Sequence, residues 1–140
     1  MKKVDEKVAI EAFTKFLKKF KAKELRRGEI SEMDIKEDYI DAIEAIQDGF
    51  LTFDDKDHPT LTLRKPLTTG DDETSVKEVT FRSRIRPSDK ANIMSGLEVQ
   101  KDVGKFSLRY AAYITQMSIK ELDLLDRDDY DTIQQVCSVF

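Results

Sequence analysis

Few residues in this chain are of types that do covalent or acid–base chemistry at neutral pH. His58 is the only histidine. A multi-histidine metal site is excluded, as is any mechanism that needs two imidazoles. His58 precedes Pro59 in a turn, where an exposed, unreactive ring is expected. Cys137 is the only cysteine and has no flanking histidine or basic pair. It falls in an apolar helical stripe, so a buried, inert thiol is expected rather than a nucleophile. One cysteine forms no intramolecular disulfide, which fits a reducing, cytoplasmic address. Asp54, Asp55 and Asp57 resemble a fragment of a calcium loop, without the central Gly and closing Glu that such a loop needs. Asp126, Asp128, Asp129 and Asp131 have the placement of helix-start acids. Neither a Gly-rich phosphate loop nor a nucleophile elbow is present. No catalytic residue, metal ligand or cofactor is assigned, and a non-enzyme is expected.

Charge has more pattern than catalysis has. Arg82, Arg84 and Arg86 alternate, so on a strand they share one face, with Val79, Phe81 and Ile85 on the other. Such a row could meet phosphate or a carboxylate-rich partner. It could equally be a solvated strand face that discourages edge pairing. Over the whole chain the net charge of -4 argues mildly against general nucleic-acid binding. It conceals an asymmetry: residues 1–27 hold ten Lys or Arg and four Asp or Glu, whereas residues 28–60 hold two and eleven. Internal complementarity between neighbouring helices explains this, as does a basic arm that seeks an acidic partner.

The elements that must position these residues follow from periodicity. Residues 5–26 are expected as one amphipathic helix, with Val8, Ala12, Phe13, Phe16, Leu17 and Phe20 on its apolar face and Gly28 as its stop. The segment 1–28 is either docked on the fold or held out as a mobile arm. In the second case Phe13, Phe16 and Phe20 are the anchors for a partner. A second helix starts at Ser31, with Asp34 in capping-box position, and ends at Gly49. Three antiparallel strands are expected near 50–54, 60–66 and 76–85, the last two forming a hairpin with an acidic tip at Asp71, Asp72 and Glu73. Pro66 belongs at a strand end or an edge. Helices follow from Pro87 (capped by Ser88 or Asp89), from about Val103 to Met117, from the capping box Ser118–Glu121, and from Asp126. Leu122, Leu124 and Leu125 pack the brief third of these. Val139 and Phe140 end the segment apolar and are expected to be docked.

The expected fold is thus α+β in a single domain over 1–140: a small three-stranded antiparallel sheet packed by two N-terminal and three to four C-terminal helices. No apolar run is long enough to span a bilayer, so no membrane partner is expected.

Leu63-Arg64-Lys65-Pro66-Leu67, then Val76-Lys77-Glu78-Val79-Thr80-Phe81-Arg82, then Arg86-Pro87-Ser88-Asp89 resemble the opening of the Mu-like phage tail assembly chaperones. So do the stretch from Tyr110 to Asp126 and the closing stretch from Asp128 to Phe140. The family pattern has a Leu-Arg-x-Pro-hydrophobic hairpin. Later comes hydrophobic-Thr-Gly-hydrophobic, four residues, Leu-x-x-Leu-x-x-x-Asp-hydrophobic, and a final helix ending near Phe. Here Thr115-Gln116-Met117 stands at the Thr-Gly-hydrophobic place, so the Gly is lost. The resemblance covers about residues 60–140.

It implies a viral protein that binds the long tape-measure protein, in some members tail-tube subunits too, and keeps it soluble before the tube polymerises. Two other readings stand beside it. One is a small non-enzymatic adaptor that contacts nucleic acid through Arg82, Arg84 and Arg86. The other is a structural virion component that self-assembles as a homo-oligomer.

Overall fold

A computed structural model describes residues 4–28, 30–69, 74–98 and 100–140. The expected hairpin tip at Asp71, Asp72 and Glu73 lies outside the described residues. The fold is α+β: a three-stranded antiparallel sheet with eight helices among the described residues.

The two expected N-terminal helices are each broken once. The first is α1 (Glu6–Phe20) and α2 (Ala22–Arg26), parted at Lys21, whose φ of -130° and ψ of 36° leave the helical region. The second is α3 (Glu32–Asp38) and α4 (Ile40–Gln47), parted at Tyr39 with φ -122° and ψ 30°. The break at Tyr39 lets its ring pack 4.8 Å from that of Phe13, so tertiary packing overrides local continuity. The Ser31 box forms: the Asp34 N–H donates to Ser31 Oγ at 3.1 Å, and the Ser31 N–H donates to Asp34 Oδ2 at 2.8 Å. α4 ends on Gly49, φ 83°. The N–H of Phe50 reaches the Ala45 carbonyl at 2.8 Å and that of Gly49 the Ile46 carbonyl at 3.1 Å. This two-bond closure needs a left-handed residue at Gly49.

The strands are β1 (Leu51–Phe53), β2 (Pro59–Thr69) and β3 (Thr74–Thr80), in spatial order β1-β2-β3. β3 stops at Thr80 and not near residue 85. Thr60 pairs with Thr80, so the residue facing Phe81 is Pro59, which has no N–H to give. The N–H of Arg82 instead donates to the Ile114 carbonyl at 2.8 Å. Leu61, Leu63, Leu67, Val79 and Phe81 are buried beneath the helices.

β2 is irregular in its middle. Between the pairs Thr62–Glu78 and Leu67–Val76, residues Leu63, Arg64, Lys65 and Pro66 stand against Lys77 alone. Such a bulge leaves backbone N–H groups without strand partners. Pro66 has none, and no β1 pairing reaches it, so it sits on a locally open edge.

The C-terminal helices are α5 (Pro87–Met94), α6 (Val103–Thr115), α7 (Ile119–Asp123) and α8 (Arg127–Cys137). The Ser118–Glu121 capping box closes α7, and the Asp126 side chain caps α8 through the Asp128 N–H. α5 lacks the expected side-chain cap; its N-cap is Arg86, with Pro87 in the first turn. Leu124 is 54% exposed rather than packed, because α7 ends at Asp123 and turns it outward. α6 ends on Gln116, a non-glycine residue at φ 61° and ψ 24°.

α8 is the central strut. It packs on α4, α6 and β2. Asp129 lies in the first turn of α8, as its reading as a helix-start acid expects, and is only 1% exposed. Its carboxylate accepts the N–H of Arg64 at 2.9 Å and that of Lys65 at 3.1 Å, the amides freed by the bulge. Gln135 bridges to α4, accepting from the Ala42 N–H at 3.0 Å and donating to Asp41 at 2.7 Å.

Candidate docking groove between α5, α6 and α8

Phe13 and Phe16 have no exposed surface, so in this fold they sit in the core, and α1 packs on α4. Phe16 packs against Phe53 at 5.1 Å and Phe140 at 5.7 Å between ring centroids. Phe20 is partly buried and packs 5.0 Å from Phe140. Val139 is buried with them, so the expected docked end is present. Val8, placed by periodicity on the apolar face, is exposed, and Ala9 is buried instead. Of the basic residues on α1, Lys15 pairs with Asp57 at 3.7 Å, while Lys36 and Glu6 pair at 2.9 Å with the signs of the two segments reversed.

The three arginines do not share a strand face, because β3 has ended before them. Arg82 turns back onto α6. Its Nε donates to the Tyr113 carbonyl at 2.8 Å and its guanidinium lies 4.6 Å above the Tyr113 ring. Arg84 is exposed. Arg86 pairs with Asp89 at 3.0 Å. Asp89 also accepts the Tyr113 hydroxyl at 2.7 Å. The Arg86 guanidinium, and then that hydroxyl, hold the Asp89 carboxyl below its usual range. At the other end of α5, Arg109 donates to the Ser95 carbonyl at 2.9 Å. These bonds stitch α5 onto α6.

The stitching leaves a groove of about 590 Å³ between α5, α6 and the end of α8. Ile85, Pro87 and Ile93 form one wall, Phe106 and Tyr110 the other, and Cys137 and Phe140 the far end. Phe106 and Tyr110 stack nearly parallel, 5.9 Å apart at 10°. Burial pushes the Cys137 thiol up to about 12 and the Tyr110 phenol likewise to about 12. The Tyr110 hydroxyl donates to the Phe140 carbonyl at 2.7 Å. At neutral pH the Tyr110 phenol and the Cys137 thiol are therefore both uncharged, and Cys137 is not the thiolate a nucleophile requires. Formal charge at the groove comes from Arg86 and Lys90 on the rim.

Lys90, Phe106 and Tyr110 were not marked as site residues from sequence. Phe106 and Tyr110 lie one turn apart in the α6 stripe, a spacing that core residues and groove residues share. Elsewhere, His58 Nδ1 lies 3.9 Å from Asp54 Oδ2. Among the described residues no three His, Cys, Asp or Glu side chains converge to hold a metal ion. Among them, too, no helix is long and apolar enough to cross a membrane.

The geometry suits apolar side chains entering a largely apolar hollow. The chain matches no protein-family model, no curated protein and no solved structure.

Proposed function

We propose that this chain is a phage or prophage tail assembly chaperone. It is a non-catalytic protein that acts in the host cytoplasm and holds the tape-measure protein in solution until the tube polymerises. The observation that carries the reading is the joint at Asp129. Counted along the family pattern from Thr115, the two leucines fall on Leu122 and Leu125 and the Asp on Asp129. The Leu-Arg-x-Pro hairpin motif falls on residues 63–67. Two motifs far apart in the chain thus meet in one pair of hydrogen bonds, Asp129 to the N–H groups of Arg64 and Lys65. This meeting of the two motifs supports the reading, because hydrophobic spacing alone does not require it. Gln116 adds to this, since the position where the pattern has Gly adopts a left-handed backbone here, φ 61°.

The test is co-expression with the tape-measure protein of the same phage. The expected result is that the tape-measure protein moves from the pellet to the soluble fraction and co-purifies with the chain, with or without nuclease. A tape-measure protein equally insoluble in both cases overturns the proposal. Co-purification that nuclease abolishes moves the reading to a nucleic-acid adaptor.

A further inference from the structure

The end of α1 and the whole of α2, residues 18–27, carry six cations: Lys18, Lys19, Lys21, Lys23, Arg26 and Arg27, with Glu24 the one acid among them. Lys21 is half-buried and the other five are exposed. The charge pattern offers residues 28–60 as their internal complement, and the fold does not make that match. Among the described residues none of these cations is in an ion pair. Lys19 donates to a neutral group, the Lys56 carbonyl. Acids of 28–60 have other partners. Asp34 closes the cap of α3, Asp41 accepts from Gln135, Asp48 pairs with Arg64, and Asp54 accepts the N–H groups of Lys56 and His58. Asp57 reaches the basic segment, but it takes Lys15.

The side chains around this patch choose its occupant. A protein interface is built around an apolar centre. Here Phe20 and Leu25, the large apolar side chains of the stretch, pack against the core. Of the cations only Lys18 lines the hollow between α1, α2 and α3, whose apolar floor is Ile10, Leu25, Ile30 and Ile35. A membrane surface holds a polybasic stretch firmly only with a second, apolar anchor, which the inward turn of Phe20 and Leu25 withholds. A nucleic-acid backbone needs neither feature, because cations bind it without apolar contact and without reading bases. At helical rise the stretch is about 14 Å long. One strand of a duplex presents about four phosphates over that length. Charge reaches about 10 Å in ordinary salt, so acids farther off, which bring the net charge to -4, are screened from the patch.

We infer that the elbow of α1 and α2 binds the phosphate backbone of nucleic acid, whatever its sequence. Binding is driven by counterions released from the phosphates, and it is therefore steeply salt-dependent. The inference stands apart from the chaperone reading, because no tape-measure protein enters its test.

The experiment is fluorescence anisotropy of two short labelled duplexes of unrelated sequence, titrated with the purified chain. Both are expected to bind equally. With about four phosphates neutralised, affinity should fall roughly a hundredfold between about 50 and 200 mM salt. Lys23→Gln is expected to weaken binding and to lower the salt slope by about one. The joint change of Lys18, Lys23, Arg26 and Arg27 to Gln should abolish binding at every salt concentration. All four side chains are exposed, and circular dichroism confirms that the variant stays folded. Lys105→Gln with Lys120→Gln, and Arg84→Gln, change exposed cations elsewhere and should leave affinity and slope as they are. Phosphatidylserine vesicles and polyglutamate, at the same salt, should bind more weakly than the duplexes. A wild type that binds neither duplex at about 50 mM salt overturns the inference, as does binding insensitive to salt. Loss of binding in Arg84→Gln, with the elbow variant unaffected, overturns it in favour of the arginine stretch. Vesicles or polyglutamate bound more tightly than duplex overturn it in favour of a lipid or protein partner.

Discussion

Asp129→Asn separates the two roles that an acid at the start of a helix can have. The native carboxylate offers both oxygens to the N–H groups of Arg64 and Lys65, at 2.9 and 3.1 Å, with 1% of the residue exposed. Asn has nearly the same shape but only one acceptor. Its amide nitrogen must face one of the two N–H groups, donor against donor. One bond is lost with a buried donor unsatisfied, about 1–3 kcal/mol, and the other loses its ionic acceptor, about 1 kcal/mol more, so about 2–4 kcal/mol is expected in all. With an unfolding entropy of roughly 2 cal/mol/K per residue, 140 residues turn that into a fall in Tm of roughly 7–14 °C. Thermal melts and urea titrations followed by circular dichroism measure it. Asp128→Asn, one residue away and exposed, is the control and is expected to cost under about 1 kcal/mol through the helix dipole alone. If Asp129→Asn loses no more than Asp128→Asn, the carboxylate does not hold the bulge, and the joint between the two motifs has no energetic content.

Three other outcomes are expected. Phe16→Ala removes a ring with no exposed surface from a cluster with Phe13, Phe20, Phe53 and Phe140, and should cost about 3–5 kcal/mol by urea denaturation; a soluble, fully stable variant would restore Phe16 as a surface anchor. Gln116→Gly relieves a left-handed side-chain residue at φ 61° and should raise stability by about 0.5–1 kcal/mol, net of the extra freedom glycine gains when unfolded; an unchanged or lower melting point refutes the strain. Stability should also be lost in acid. The carboxyls of Asp34, Asp54, Asp89 and Asp126 are all held below the usual aspartate range, first by the Ser31 N–H, the His58 N–H, the Arg86 guanidinium and the Lys65 ammonium respectively. A folded value below the unfolded one stabilises the fold above the unfolded value, and that contribution disappears as pH falls through the folded values. The urea midpoint should therefore be flat from neutral to about pH 5 and fall below about pH 4. A midpoint unchanged at pH 3 would contradict these contacts.

What the sequence made legible was local. Ser31 with Asp34 and Ser118 with Glu121 form the capping boxes their spacing suggests, because a cap is decided within one turn. The hairpin and its two apolar runs were legible from alternation, and the α+β class from the order of elements. What was hidden depends on residues distant in the chain. Lys65 should point inward by strict alternation with Leu63 and Leu67, yet it is exposed, because the bulge between Thr62 and Leu67 interrupts the alternation there. Charge and placement at the helix start do not distinguish Asp129 from Asp128; the bulge that Asp129 fills does. The arginines alternate as a strand would, but the residue opposite Phe81 is a proline, and that fact belongs to the register. The groove was illegible for a similar reason: Phe106 and Tyr110 have core spacing, and whether a further layer covers them is settled by where α5 is tied down.

The place of α8 in the chain bears on how the protein is made. Asp129 follows Arg64 by 65 residues, so at ribosomal speeds of roughly 5–20 residues per second the bulged strand waits roughly 3–13 s for the carboxylate that completes it. Over the same interval the residues that α8 and Phe140 cover, Leu61 and Phe16 among them, have no final partners. The nascent chain thus presents an open apolar sheet face with free backbone donors, the kind of surface that general holdases bind and that aggregates when they are scarce. A protein proposed here to shield another would itself need shielding during its own synthesis.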